Sequence, residues 1–134
     1  ILKTIRRYSH IKNPDKRLDE ISRKMNMSCL LKRKMKSLTP GELRWAVLAA
    51  QIAADTKVLF IDEYEQHLGK EELKNLNNIL YRKINYDGIT LITTTQNKDL
   101  IKRLASVIIT LENGRITSLR SYRKNKVNYR NKGR

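Results

Sequence analysis

The feature that most constrains the fold of this chain is a short apolar run that ends in two adjacent carboxylates. The run Val58–Ile61 contains only β-forming residues, a pattern typical of a strand buried on both faces of a sheet. Asp62 and Glu63 follow at once, and such a pair is costly beside a buried strand unless it binds something. Because ligands of open α/β sheets collect at the carboxyl ends of strands, the pair predicts a cation on Asp62 and an activated water on Glu63. The alternative is a strand that runs into an acidic turn.

A second pattern, just upstream, marks the start of a helix. Thr39 and Glu42 form the Thr-x-x-Glu pattern of a capping box, and Pro40 stands at the first helical position. The apolar residues 45–54 then predict a helix rich in alanine. A helix N-terminus beside a glycine is a ready anion site, although most capping boxes do no more than begin a helix.

The rest of the chain alternates between strand and helix patterns. Asn13 and Pro14 predict a first helix, and Asn113-Gly114 predicts a tight hairpin turn. The alternation predicts an α/β fold with a mostly parallel sheet, flanking helices and a C-terminal β-hairpin. The predicted strands are 58–61, 89–95, 107–111 and 115–119, and the predicted helices between them are 70–84 and 97–104.

These motifs together resemble the second half of an ABC-type ATPase domain, the ATP-binding cassette, which has a P-loop NTPase-like fold. The order and spacing agree over roughly residues 18–119. The parts that match are the signature loop (38–42, Leu-Thr-Pro-Gly-Glu), the Walker B strand with its two carboxylates (58–63), the D-loop (64–69), the strand and switch region (89–97) and the final hairpin (107–119).

The resemblance implies a role for each carboxylate and for the switch position. Asp62 would hold Mg²⁺, and Glu63 would act as the general base that polarises the attacking water. Gln96 would occupy the switch position, where the family usually has a histidine, and would sense the γ-phosphate of ATP.

The resemblance also implies a nucleotide-contacting loop and a partner. The loop would be formed by Thr39, Gly41 and Glu42, and it would close over ATP held by a second ABC ATPase domain in a head-to-tail dimer. Pro40 replaces the usual first glycine of this loop and removes an N–H donor, and Gly69 replaces the D-loop aspartate. With glutamine at position 96, these departures indicate a slow, asymmetric or regulatory ATPase site.

The chain is short for a complete domain of this type. It has 134 residues, no Met at its start, and no Gly-x-x-x-x-Gly-Lys-Ser/Thr motif to cradle phosphate. We therefore expect the C-terminal part of a longer domain. Residues 1–37 would end its helical subdomain, residues 38–119 would form the signature helix and Walker B core, and residues 120–134 would be a basic, disordered tail.

The formal net charge of +16 favours anionic partners such as nucleic acid, acidic lipid or nucleotide. Part of this charge lies in a basic run at residues 32–36, and the bland alternative is a compositional bias with a solvated tail. Cys29, the single cysteine, is predicted to be a small buried apolar residue. No apolar run reaches the length of a membrane span, and His10 and His67 have no metal-ligand spacing.

The resemblance therefore predicts the ATP-hydrolysing subunit of an ABC transporter. Such a subunit would use ATP and Mg²⁺, lie in the cytoplasm at the inner face of the cell membrane, and drive a membrane-spanning partner. The main alternative is a soluble ABC-F-like ATPase that binds RNA on the ribosome. A coiled-coil DNA-repair ATPase and a degenerate domain that no longer hydrolyses ATP are further alternatives.

Overall fold

A computed structural model describes residues 11–122 of the chain, so most of the predicted tail lies outside the described residues. No helix in this range has both the length and the apolar composition needed to cross a membrane. The elements in chain order are helix α1 (Pro14–Lys24), two short 3₁₀ turns (Leu30–Lys32 and Met35–Ser37), helix α2 (Pro40–Ala53), strand β1 (Val58–Ile61), helix α3 (Lys70–Tyr86), strand β2 (Thr90–Thr93), helix α4 (Lys98–Ile101), and strands β3 (Val107–Glu112) and β4 (Arg115–Ser121).

The strands form two separate pairs. β1 and β2 are parallel, with Val58 opposite Thr90 and Ile61 opposite Thr93. β3 and β4 form an antiparallel hairpin whose turn residues, Asn113 and Gly114, both have positive φ, as a two-residue turn of this kind requires. The predicted α/β fold is confirmed, but within the described residues β3 pairs only with β4 and does not join the parallel pair.

Helix α2 lies at the centre of the hydrophobic core. Its small residues Ala49 and Ala53 are fully buried, which lets neighbouring elements approach closely, as the sequence predicted. Trp45 is buried on the same helix, and its indole N–H donates to the backbone oxygen of Met25 at the end of α1, 2.9 Å away. The side chains that surround α2 come from α1 (Ile21, Met25), β1 (Leu59, Ile61) and α3 (Leu76, Leu80).

The prediction that β1 is buried on both faces is wrong. Leu59 and Ile61 are 6% and 3% exposed, whereas Val58 and Phe60 are 45% and 64% exposed. Strand β2 is also only half covered, and its Ile92 is exposed. The reason is that the core cluster lies on one face of this parallel pair within the described residues.

Cys29 was predicted to be buried, and this prediction is also wrong, because the residue is exposed. It lies directly before the first 3₁₀ turn, a segment that buries none of its own residues. Met35 is exposed too, in the second 3₁₀ turn, which likewise buries none of its own residues.

Candidate functional site

The acidic pair lies where β1 ends. Asp62 is exposed and Glu63 is half-buried, directly after the last residue of the parallel pair. Glu63 has a φ of 41°, in the left-handed region that residues with a Cβ rarely adopt. Such strain persists only where neighbouring contacts enforce it, and it is common at functional sites.

Thr94, in a run of three threonines that begins at the end of β2, holds the acidic pair in place. The Thr94 hydroxyl donates to a carboxylate oxygen of Asp62 and accepts the backbone N–H of Glu63 at 2.8 Å. The Thr93 hydroxyl donates to the backbone oxygen of Ile61 at 2.6 Å, which adds a side-chain bond to the last pair of the strand ladder. Thr94 was missed by sequence reasoning, although the run of threonines at a strand end was its signal.

Arg44, on α2, ties the signature-like helix to the same turn. Its guanidinium donates to the backbone oxygen of Asp62 and, at 3.2 Å, to that of Glu63. Two carbonyl groups in a left-handed turn are thereby satisfied by one side chain. Nothing in the local sequence pattern singled out Arg44, because the contact joins elements that are distant in the chain.

The switch-position glutamine contacts the predicted general base. The Gln96 side-chain nitrogen lies 3.3 Å from a carboxylate oxygen of Glu63. The Gln96 backbone N–H donates to Glu65, 3.1 Å away. The fold therefore brings Asp62, Glu63 and Gln96 into one cluster, and Glu65 is a further member that sequence reasoning did not identify.

The start of α2 has the predicted capping box. Glu42 donates its backbone N–H to the Thr39 hydroxyl at 3.2 Å, and Thr39 donates its own N–H to the Glu42 carboxylate at 2.8 Å. Arg33 binds the other oxygen of Glu42 at 2.5 Å. The Thr39 N–H, helped by the nearby Arg33 charge, holds the pKa of Glu42 below its usual value. Both oxygens of Glu42 are therefore engaged in shaping the loop.

Gly41 lies against the D-loop-like segment. A Cβ at this position would stand 2.7 Å from the backbone oxygen of His67, so only glycine fits without a backbone shift. Pro40 has no N–H, and the N–H groups of Glu42 and Leu43 bind Thr39. The Gly41 N–H is thus the first-turn donor left without a partner among the described residues.

A cleft of about 450 Å³ opens beside this helix start. It separates the start of α2 from the start of α3, and Thr39, Gly41, His67 and Gly69 line it. The acidic pair does not line this cleft. The candidate residues therefore form two separate sites. One is the Asp62 cluster at the end of β1, and the other is the Thr39 loop at the start of α2.

The donor set of the acidic cluster suits one kind of metal ion. Within residues 11–122, no group of three or more His, Cys, Asp or Glu side chains could hold a metal. Asp62 offers a single exposed carboxylate. One of its oxygens accepts a hydrogen bond from Thr94, and the second oxygen is the one available to a metal ion. Mg²⁺ is often bound by one or two carboxylates together with substrate phosphates, so Asp62 fits Mg²⁺.

No protein-family model matches the chain. Several curated proteins are similar in sequence, and two of them illustrate the match. The cell division ATP-binding protein FtsE of Streptococcus pneumoniae is 33% identical over 90 residues, which cover 64% of this chain and 39% of the relative. The cytochrome c biogenesis ATP-binding export protein CcmA of Rickettsia bellii is 31% identical over 98 residues, which cover 72% of this chain and 50% of the relative.

Solved structures show the same fold. A dimeric ATP-binding cassette, MJ0796, in a post-hydrolysis state bound to ADP and Pi, matches with a TM-score of 0.74 at 18% identity. The match covers 84% of this chain and 48% of that cassette. The chain thus spans half or less of the length of the relatives and the structure described here.

Proposed function

We propose that this chain, whose sequence and fold match the C-terminal part of ABC-type ATPase cassettes, forms the hydrolytic part of an ATPase that powers transport. The observation that carries the proposal is the contact between the Gln96 amide and the Glu63 carboxylate beside Asp62, at the carboxyl end of β1. The left-handed backbone of Glu63 adds support, because such strain is common at functional sites.

The acidic cluster would carry out the chemistry of hydrolysis. Asp62 would hold Mg²⁺, and the ion would supply positive charge to neutralise the phosphates of ATP. Glu63 accepts the proton of the attacking water, and Gln96 holds the carboxylate through its side-chain amide. Thr94 holds the two acidic residues in fixed positions relative to each other, because its hydroxyl binds the Asp62 carboxylate and the Glu63 backbone N–H at once.

The start of α2 would act on the nucleotide of a partner cassette. The Thr39 hydroxyl accepts the Glu42 N–H and keeps its own proton free to donate to a phosphate oxygen. The Gly41 N–H and the positive end of the helix dipole would add to this site. Glu42 shapes the loop without touching the nucleotide, because Thr39 and Arg33 already occupy its oxygens.

The proposal includes a head-to-tail dimer and a membrane-spanning partner. The chain contains no motif that cradles phosphate, so ATP must be held by residues outside it. The similarity to a protein named as an export ATP-binding protein supports a transport role at the cytoplasmic face of the membrane. The similarity to a dimeric cassette supports the dimer.

The test is Mg²⁺-dependent ATP hydrolysis by the full-length protein with Glu63→Gln. We expect turnover to fall by about a hundredfold or more, because a general base contributes that much, while ATP binding remains. The variant should also accumulate as an ATP-bound dimer in size-exclusion chromatography. Glu112→Gln, at the exposed end of β3, is the matched control. Unchanged turnover in Glu63→Gln would refute the proposal.

A soluble ribosome-associated ATPase is the second candidate. Lys32, Lys34 and Lys36 are exposed just before the signature-like loop, and none forms an ion pair within residues 11–122. With a net charge of +16, these lysines suit RNA phosphates. Salt-sensitive cosedimentation with ribosomes would favour this candidate, and fractionation with membranes would favour the transporter. ATP binding without any hydrolysis would favour a degenerate domain.

A further inference from the structure

The Glu65 carboxylate binds the loop that carries Gln96. One of its oxygens accepts two hydrogen bonds, from the Thr95 hydroxyl and from the Gln96 backbone N–H at 3.1 Å. The other oxygen is buried and has no hydrogen-bond partner within residues 11–122. No cation forms an ion pair with Glu65 in the described part of the chain. A half-buried carboxylate without a cation is costly unless its hydrogen bonds offset that cost.

The two contacts of Gln96 connect Glu65 to the predicted general base. Glu65 holds the backbone of Gln96, and the side chain of the same residue reaches Glu63 at 3.3 Å. Glu63 and Glu65 thus bind one residue at two points, from the same short turn after β1. A fixed backbone limits where the glutamine amide can reach, because only its side-chain torsions remain free.

We propose that Glu65 is a positioning residue, which holds the switch loop so that the Gln96 amide contacts Glu63. The catalytic consequence rests on the function proposed above, whereas the contact itself does not. A carboxylate suits the task because one anionic oxygen accepts two donors, in hydrogen bonds stronger than those of a neutral acceptor. Alanine lacks the acceptor, and aspartate is one methylene too short to reach the loop in this geometry.

Tyr64 explains why the turn can bear this contact. It stands between Glu63 and Glu65 in the sequence, and its side chain is fully buried. It belongs to the hydrophobic core that also contains Leu76 and Leu80 of α3. The turn is therefore held by a side chain buried in the core, directly before Glu65.

The contact is tested directly by amide hydrogen exchange, measured by NMR on the complete chain. We expect Glu65→Ala to speed exchange of the Gln96 amide by about tenfold or more, because its acceptor is lost. Glu65→Gln, which keeps an acceptor oxygen, should restore most of the protection. Glu71→Ala, an exposed carboxylate in the first turn of α3, is the control. Unchanged Gln96 exchange in Glu65→Ala would overturn the proposal, and Glu65→Asp gives the same comparison if the alanine variant does not fold.

The positioning role is tested by a double-mutant cycle in the full-length protein. We expect Glu65→Ala to lower kcat for ATP by about tenfold, with KM changed less than about twofold. In a Gln96→Ala background the same change should have no further effect, because Glu65 acts through Gln96. Additive losses would overturn the proposal. Absence of turnover in the wild type would refute the proposed function, and amide exchange alone would then decide the contact.

Discussion

The side-chain amide of Gln96 lies 3.3 Å from the Glu63 carboxylate, although 33 positions separate the two residues in the chain. Parallel pairing of β1 with β2 produces this contact, since Ile61 opposite Thr93 brings the two strand ends to one edge. The residues that follow each strand then meet. The contact between Glu63 and Gln96 therefore depends on the register of β1 against β2.

Replacing Thr94 with valine should loosen the acidic pair. The change keeps the shape of the side chain but removes the hydrogen bonds to Asp62 and to the Glu63 N–H. We expect the free energy of unfolding to fall by about 1–2 kcal/mol, and the full-length protein to need more Mg²⁺ for half-maximal turnover. Thr90→Val, at the exposed start of the same strand, is the control and should change neither quantity.

Gly41→Ala should destabilise the fold even though it lies in a helix. Helix propensity alone would favour alanine by about 1 kcal/mol. The new methyl group would meet the His67 backbone oxygen at 2.7 Å, and overpacking of this kind costs about 1–3 kcal/mol. Urea denaturation should show a net loss. In Gly69→Ala the nearest atom is the movable Glu72 carboxylate, so this control should lose less. A Gly41→Ala variant as stable as the wild type would show that the start of α2 does not pack against the D-loop-like segment.

The capping box should make stability depend on pH through Glu42. Its pKa is lowered in the folded protein below the usual value of a glutamate, chiefly by the Thr39 N–H and also by Arg33. A depressed folded pKa contributes stability that is present above the unfolded pKa and is lost as the pH falls through the folded pKa. Denaturant titrations from pH 7 to pH 3 should therefore show a shallower decline below about pH 4.5 in Glu42→Gln than in the wild type. Identical slopes in the two proteins would contradict the cap assignment.

Thr39 variants should separate the structural from the catalytic use of its hydroxyl. Thr39→Ala removes the acceptor for the Glu42 N–H and should cost about 1 kcal/mol of stability. Thr39→Ser should restore both stability and ATP turnover, because the hydroxyl is kept. The loss of ATP turnover in Thr39→Ala is compared with the fraction of the variant that is unfolded at the assay temperature. If the unfolded fraction accounts for the whole loss, the hydroxyl does not contact nucleotide.

The sequence predicted the elements that depend on local patterns. The Thr39–Glu42 capping box and the Asn113-Gly114 turn were recognised because their physics lies within a few residues. The exposure of Phe60 was not predicted, since an apolar run does not reveal whether one or two layers cover a strand.

In the candidate site, too, local motifs were predicted and long-range contacts were missed. The matching motifs predicted Asp62, Glu63 and Gln96, and the structure places them together. Arg44, Thr94 and Glu65 were missed, because their contacts require the position of α2 and the register of β1 on β2. Non-local contacts of this kind leave no periodic signal in the chain.

The most direct test of the central claim is the position of the divalent ion. Mn²⁺ replaces Mg²⁺ in a sample of the full-length protein with a non-hydrolysable ATP analogue, and paramagnetic broadening of amide signals is recorded. We predict nucleotide-dependent broadening at Asp62, Thr94 and Gln96, lost in Asp62→Asn and kept in Asp99→Asn, whose carboxylate lies at α4. Broadening centred elsewhere, or unchanged in Asp62→Asn, would contradict the assignment of the β1 end as the hydrolytic centre.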